Sequence, residues 1–207
     1  MKKSLIASAV FAALGGVSSA NAALTNDGSM TLSMDLGTGS CAATGTFPNC
    51  DYGANIATGG SFFTMDGNFG AIISSDAGIV LGTAQPFDGT AGSPGVPYPG
   101  DGTNITNPWP FFGNTGTNFS ASAISAVSDT EIDMSGWRVA WAEVPSINMG
   151  AGANAVMICG TCNVGDSYTL DYSATVPPGD PSGFGGVLYA LHLEGTIEAS
   201  STVIPVP

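Results

Sequence analysis

The chain has 207 residues, 43% hydrophobic and only 9% charged, with 3 Lys plus Arg against 16 Asp plus Glu and a formal net charge of −13. That length supports one domain with a real core, and the hydrophobic content is too high for wholesale disorder. Nucleic-acid binding is excluded because there are almost no cations to neutralise phosphates; docking on anionic lipid headgroups falls on the same ground.

Met1-Lys2-Lys3 is a short cationic start, an apolar run follows from Leu5 to Val17, and Ala20-Asn21-Ala22 has the A-x-A form read by signal peptidase. Residues 1–22 are therefore expected to be a signal peptide, with 23–207 as a single mature domain. That domain keeps all 16 carboxylates and one fixed cation, Arg138. No later stretch reaches the ~18 consecutive apolar residues of a spanning helix. The expected product is exported, soluble and acidic, located from the periplasm to the cell surface and the extracellular space.

Along the mature chain the apolar period is two. Met30, Leu32, Met34 and Leu36 alternate with Thr31, Ser33 and Asp35. Weaker strand signals cover 61–65, 71–74 and 78–82. The segment 85–118 breaks the pattern with Pro86, Pro94, Pro97, Pro99, Pro108 and Pro110, which remove ladder donors, so it is expected to be a long Pro/Gly-rich loop or linker. Residues 121–127 are ambiguous between helix and strand. Trp137, Val139 and Trp141 resume the alternation, and 155–159 reads as a further strand. Two long alternating runs follow, 168–176 and 187–194, flanking a Pro/Gly-rich connection that forbids helix; they are expected to pair as an antiparallel hairpin. Half-apolar strands in this number bury their faces most readily in two packed sheets. The expected fold is an all-β, antiparallel, jelly-roll-like β-sandwich.

Cys41, Cys50, Cys159 and Cys162 make an even count in an exported chain, which reads first as disulfides, and proximity favours 41–50 with 159–162. Cys159-Gly160-Thr161-Cys162 has the spacing of a thiol oxidoreductase, but that chemistry uses a helix N-terminus to stabilise the thiolate. Here the flanks read strand, turn, strand. A zinc site is disfavoured because the eight residues between Cys41 and Cys50 are too wide a spacing for a knuckle.

A catalytic constellation does not emerge. His192, the single histidine, lies in a strand beside Glu194 on the same face, and there is no G-x-S-x-G elbow, so a solvated or cross-strand-paired histidine is the expectation and an enzyme is not. Asp129, Glu131 and Asp133 alternate, which on an extended segment puts three carboxylates on one side, a pattern suited to calcium; no other cofactor is indicated. A solvated strand face explains the same pattern. Trp109, Phe111 and Phe112 cluster in the Pro-rich segment, either as a stacking surface for sugars or as side chains that pin the loop to the sandwich. Asn104-Ile105-Thr106 and Asn118-Phe119-Ser120 match the glycosylation sequon, a frequent chance match.

Several stretches together resemble a known class. These are Asp133-Met134-Ser135-Gly136-Trp137-Arg138-Val139, Pro145-Ser146-Ile147-Asn148-Met149-Gly150, Tyr168-Thr169-Leu170-Asp171-Tyr172 and Gly179-Asp180-Pro181-Ser182-Gly183-Phe184-Gly185-Gly186. With Val203-Ile204-Pro205-Val206-Pro207, which is similar to a V-P-x-P sorting entry, they resemble exported proteobacterial proteins of the PEP-CTERM/VPxP class. In that class an apolar helix and an Arg-rich tail follow the motif and an exosortase removes them; the sequence here stops at the motif. The resemblance implies delivery to the surface or biofilm matrix and carries no catalytic residues. The expected function is a non-catalytic cell-surface or extracellular-matrix component, engaged in self-assembly or with polysaccharide. The alternative is a polysaccharide- or calcium-binding sandwich module.

Overall fold

The computed structural model describes residues 23–41, 45–46, 49–50, 55–65, 69–72, 78–87, 104–106, 109–111 and 114–201. The expected leader and the Val203–Pro207 motif lie outside them. In chain order the strands are β1 (Met30–Met34), β2 (Thr38–Cys41), β3 (Gly45–Thr46), β4 (Asn49–Cys50), β5 (Asn55–Gly59) and β6 (Phe62–Met65). There follow β7 (Phe69–Ile72), β8 (Ile79–Val80), β9 (Trp109–Phe111), β10 (Asn114–Ser120), β11 (Ser125–Ser128) and β12 (Glu131–Asp133). The last are β13 (Trp137–Trp141), β14 (Val144–Asn148), β15 (Ala155–Cys159), β16 (Ser167–Thr175) and β17 (Leu188–Ala199).

The β16–β17 hairpin is the centre of the molecule, paired antiparallel from Ser167 opposite Thr196 to Thr175 opposite Leu188. Its alternation sends Tyr168, Leu170, Tyr172, Tyr189, Leu191 and Leu193 inward, all buried. β17 is longer than any one neighbour on its second edge, so two strands share that edge: β6 along Tyr189–His192 and β1 along Gly195–Ala199. Beyond β16 come β15, β12 and β11; beyond β6 come β7, β5 and β2; β8 flanks β1. These eleven strands make one antiparallel sheet that curls into a half-barrel. A four-stranded sheet, β14-β13-β10-β9, covers its inner face, and β3 and β4 form a separate ribbon. Trp137 on β13 joins the two layers. Its ring meets Tyr172 and Tyr189 edge-on at 5.7 and 5.6 Å, and its indole N–H donates to Asn118 Oδ1 at 2.8 Å. Tyr189 donates its hydroxyl to the Met149 carbonyl, so the buried polar tips of both rings are satisfied. The fold is all-β and sandwich-like, as the alternation predicts.

Three local expectations are corrected. Leu36 is 56% exposed because β1 stops at Met34 and Asp35-Leu36-Gly37 form the irregular link to β2. The ambiguous 121–127 stretch holds no helix; its second half enters β11. The segment 85–118 is strand at its C-terminal end, in β9 and most of β10. Pro110 is tolerated because β9 is the edge of its sheet, where a missing N–H need not break a ladder. The described parts of that segment are clamped to β10. Gln85 N–H donates to Ser120 Oγ and Ser120 N–H to Gln85 O, both at 2.8 Å, while Ile105 N–H donates to Asn118 O at 3.0 Å. Residues 88–103 lie outside the described ones.

Candidate functional site

Every second residue of the central strands faces away from the core, and the register lines them up. Glu131 on β12 stands opposite Val156 on β15, Val156 opposite Asp171 on β16, Asp171 opposite His192 on β17, and His192 opposite Phe62 on β6. One row thus crosses five strands on the outer face of the large sheet. Around it lies a groove of about 450 Å³ lined by Phe62, Asn154, Val156, Asp171, Ser173 and His192.

Around His192 the polar contacts are short. His192 Nδ1 is 2.7 Å from Asp171 Oδ1, and Nε2 is 3.2 Å from Glu194 Oε1. The Phe62 ring lies 5.1 Å from the imidazole, tilted by 34°. Burial works against the charged imidazolium, but the hydrogen bonds and charges of Asp171 and Glu194 together outweigh it and raise the His192 pKa above 6.5. Both ring nitrogens are occupied by carboxylates, so neither is placed to take a proton from a hydroxyl nucleophile. The cross-strand pairing expected for His192 is what the register delivers. What the arrangement offers is a binding face: the Phe62 ring, the Asn154 amide, the Ser173 hydroxyl and the Asp171 carboxylate around the groove, with the Glu194 carboxylate beside it.

The other candidate residues fall elsewhere. Asp129 sits in the turn between β11 and β12, where its Oδ1 accepts Leu24 N–H at 3.1 Å. Asp133 Oδ1 accepts Ser135 N–H at 2.8 Å, and Glu131 is exposed at the end of the groove row. Glu131 and Asp133 are on β12, and Asp129 lies in the turn before it. Among the described residues no three His, Cys, Asp or Glu side chains gather as a metal site.

Cys159 and Cys162 form a disulfide with Cα atoms 5.2 Å apart. It closes the end of β15, and the following turn is tied by Asp166, whose Oδ2 accepts Thr161 N–H, Thr161 Oγ1–H and Asn163 N–H. The motif sits between two strands and not at a helix start, as its flanks predict. The side chains of Cys41, Cys50, Trp109 and Phe111, and all of Phe112, lie outside the described residues. Asn104 and Asn118 of the two sequons are buried, at 3% and 2% exposure, which removes them as glycosylation acceptors in the folded chain.

Phe62, Asn154 and Val156 were not singled out by sequence reasoning. One signal for Phe62 was present in the doublet Phe62-Phe63. Neighbours on a strand point to opposite faces, so one of two adjacent phenylalanines must leave the core. Phe63 is buried at 4% exposure and Phe62 is the ring left outside. A second cavity, of about 40 Å³ between Trp141, Phe184, Val139 and Met149, is wholly apolar. It is far below the ~150 Å³ that admits a small aromatic molecule, and belongs to the core packing.

Compared with protein-family models, characterised proteins and solved structures, the chain finds no match.

Proposed function

We propose that the chain is a non-catalytic component of the cell surface or extracellular matrix, reached by export, and that it acts there by binding polysaccharide on the outer face of its large sheet. The observation that carries this reading is the groove whose floor joins the Phe62 and His192 rings to Asp171, Ser173 and Asn154. Ring faces suit the C–H faces of pyranoses, and flanking carboxylate, hydroxyl and amide groups suit their hydroxyls. The acidic composition and the leader-like N-terminus fit an exported product.

Assembly by strand addition draws less support at three of the described sheet edges, β11, β14 and β9, which are blunted. Asn26 occupies both backbone groups of Ala126 on the outer strand β11, accepting its N–H at 2.7 Å and donating to its carbonyl at 2.8 Å. Edge strands β14 and β9 carry Pro145 and Pro110.

Affinity electrophoresis through gels containing neutral, aminated or uronate polysaccharides tests the binding reading. Retardation of the protein by at least one gel, lost in Phe62→Ala at unchanged melting temperature, is the expected result. Retardation lost in Trp109→Ala but kept in Phe62→Ala moves the site to the Pro-rich segment. No retardation in any gel removes the reading.

A further inference from the structure

Resting on the polysaccharide reading, we propose that the groove selects a cationic glycan, a chain of hexosamines with free amino groups, over neutral or uronate-bearing chains. The charge on this face is negative in either state of its histidine. Asp171 and Glu194 flank His192 with side chains 67% and 42% exposed, and Glu131 closes the row beyond Val156. Against them stands at most one imidazolium. Arg138, the single Lys or Arg after residue 22, is on the other sheet, where its guanidinium donates to the carbonyls of Ser135 and Trp137.

The two carboxylates keep acceptor capacity for a ligand. His192 uses one oxygen of each, and a carboxylate offers roughly four acceptor positions. An ammonium against the outer oxygen of Asp171, which lines the groove, or of Glu194 beside it would make a charge-assisted hydrogen bond, whereas a uronate carboxylate would meet only like charge. The acidic side chains alone would suit any cation. The apolar part of the groove narrows the class, because Val156, 56% exposed, and the Phe62 ring supply surfaces for sugar C–H faces at the two ends of the Val156–Asp171–His192–Phe62 line. Three inter-strand steps make that line roughly 14 Å long, room for a short oligosaccharide and more than one sugar needs. The net charge of −13 also draws a polycation toward the molecule.

The test is calorimetric titration of the full chain with glucosamine hexamer, N-acetylglucosamine hexamer and an oligouronate. The expected result is binding of the glucosamine hexamer about tenfold or more tighter than its acetylated form, with none of the uronate. Asp171→Asn combined with Glu194→Gln should erase that preference. Phe62→Ala, which keeps the charge, should weaken both hexamers together and serves as the second variant where the double substitution lowers the melting temperature. Equal binding of the two hexamers, or tighter binding of the uronate, overturns the charge selection while leaving polysaccharide binding intact. Glucosamine binding unchanged in all variants assigns it to diffuse charge and overturns the site. No binding of any of the three, with no retardation in the gels, overturns both readings.

Discussion

His192, the single histidine, is the side chain whose ordinary pKa lies between pH 5 and 8. Its folded pKa is raised, so its contribution to stability is fully present below the unfolded value near 6.5 and is lost as pH rises through the folded value. The carboxylates with resolved shifts move the other way. Asp27 and Asp166 are lowered chiefly by side-chain hydrogen bonds from Ser29 and Thr161. At Asp180 partial burial raises the pKa, but donors from Ser182 and Asn148 more than offset it and leave it lowered. These three contribute stability above 3.8 that disappears only as pH falls through still lower values. Between pH 5 and 8 the melting temperature is therefore expected to fall with rising pH, and His192→Gln should flatten that slope. A wild-type slope retained in the variant would place the response elsewhere. The sequence showed His192 and Glu194 on one face, but Asp171 as partner needed the register.

At the scale of elements, the decisive feature is that β17 changes partner midway. It leaves β6 after His192 and takes β1 from Gly195 onward. At that junction a Cβ on Gly195 would overlap the Ser33 carbonyl oxygen, so only glycine lets the two backbones approach. Gly195→Ala is expected to cost about 1–3 kcal/mol, the range for overpacking, read as a lower midpoint in urea denaturation. An unchanged midpoint would mean that β1 can shift away without loss. The hairpin of β16 and β17 was legible because strict alternation over nine residues or more has one reading. β10 was not. Its Asn114-Thr115-Gly116-Thr117-Asn118 is polar and lies beside prolines, yet Thr117, Asn118 and Ser120 are buried. They are held there by bonds to chain segments distant in sequence, Thr117 to the Thr106 carbonyl, Asn118 to Thr106 Oγ1 and to Trp137, and Ser120 to Gln85. Polar residues buried by such bonds leave no hydrophobic period to read.

For the whole molecule, charge sets the terms. With 16 Asp plus Glu against 3 Lys plus Arg, folding gathers like charge that the expanded chain holds further apart. At pH 8, raising ionic strength from about 0.01 to 0.15 M shortens the screening length from roughly 30 to 8 Å and is expected to raise the melting temperature. Sodium and potassium should do so equally, since screening is indifferent to the ion. The same change should leave the His192→Gln difference at pH 5 largely in place, because its partners are in direct contact. A melting temperature that falls with salt would mean that specific ion pairs dominate.

By itself the sequence determined the all-β class, the central hairpin, the outward position of His192 and the acidic character, because period-two alternation and composition are local properties of a chain. The tertiary structure alone decided which strands lie side by side. It split β17 between β6 and β1, set Asp129 in the turn before β12, and drew Phe62, His192, Asp171 and Val156 from four strands into one row. Strand order is set by pairings between segments far apart in sequence, such as Phe62 with His192 and Met30 with Ala199, and no local pattern encodes a partner at that distance.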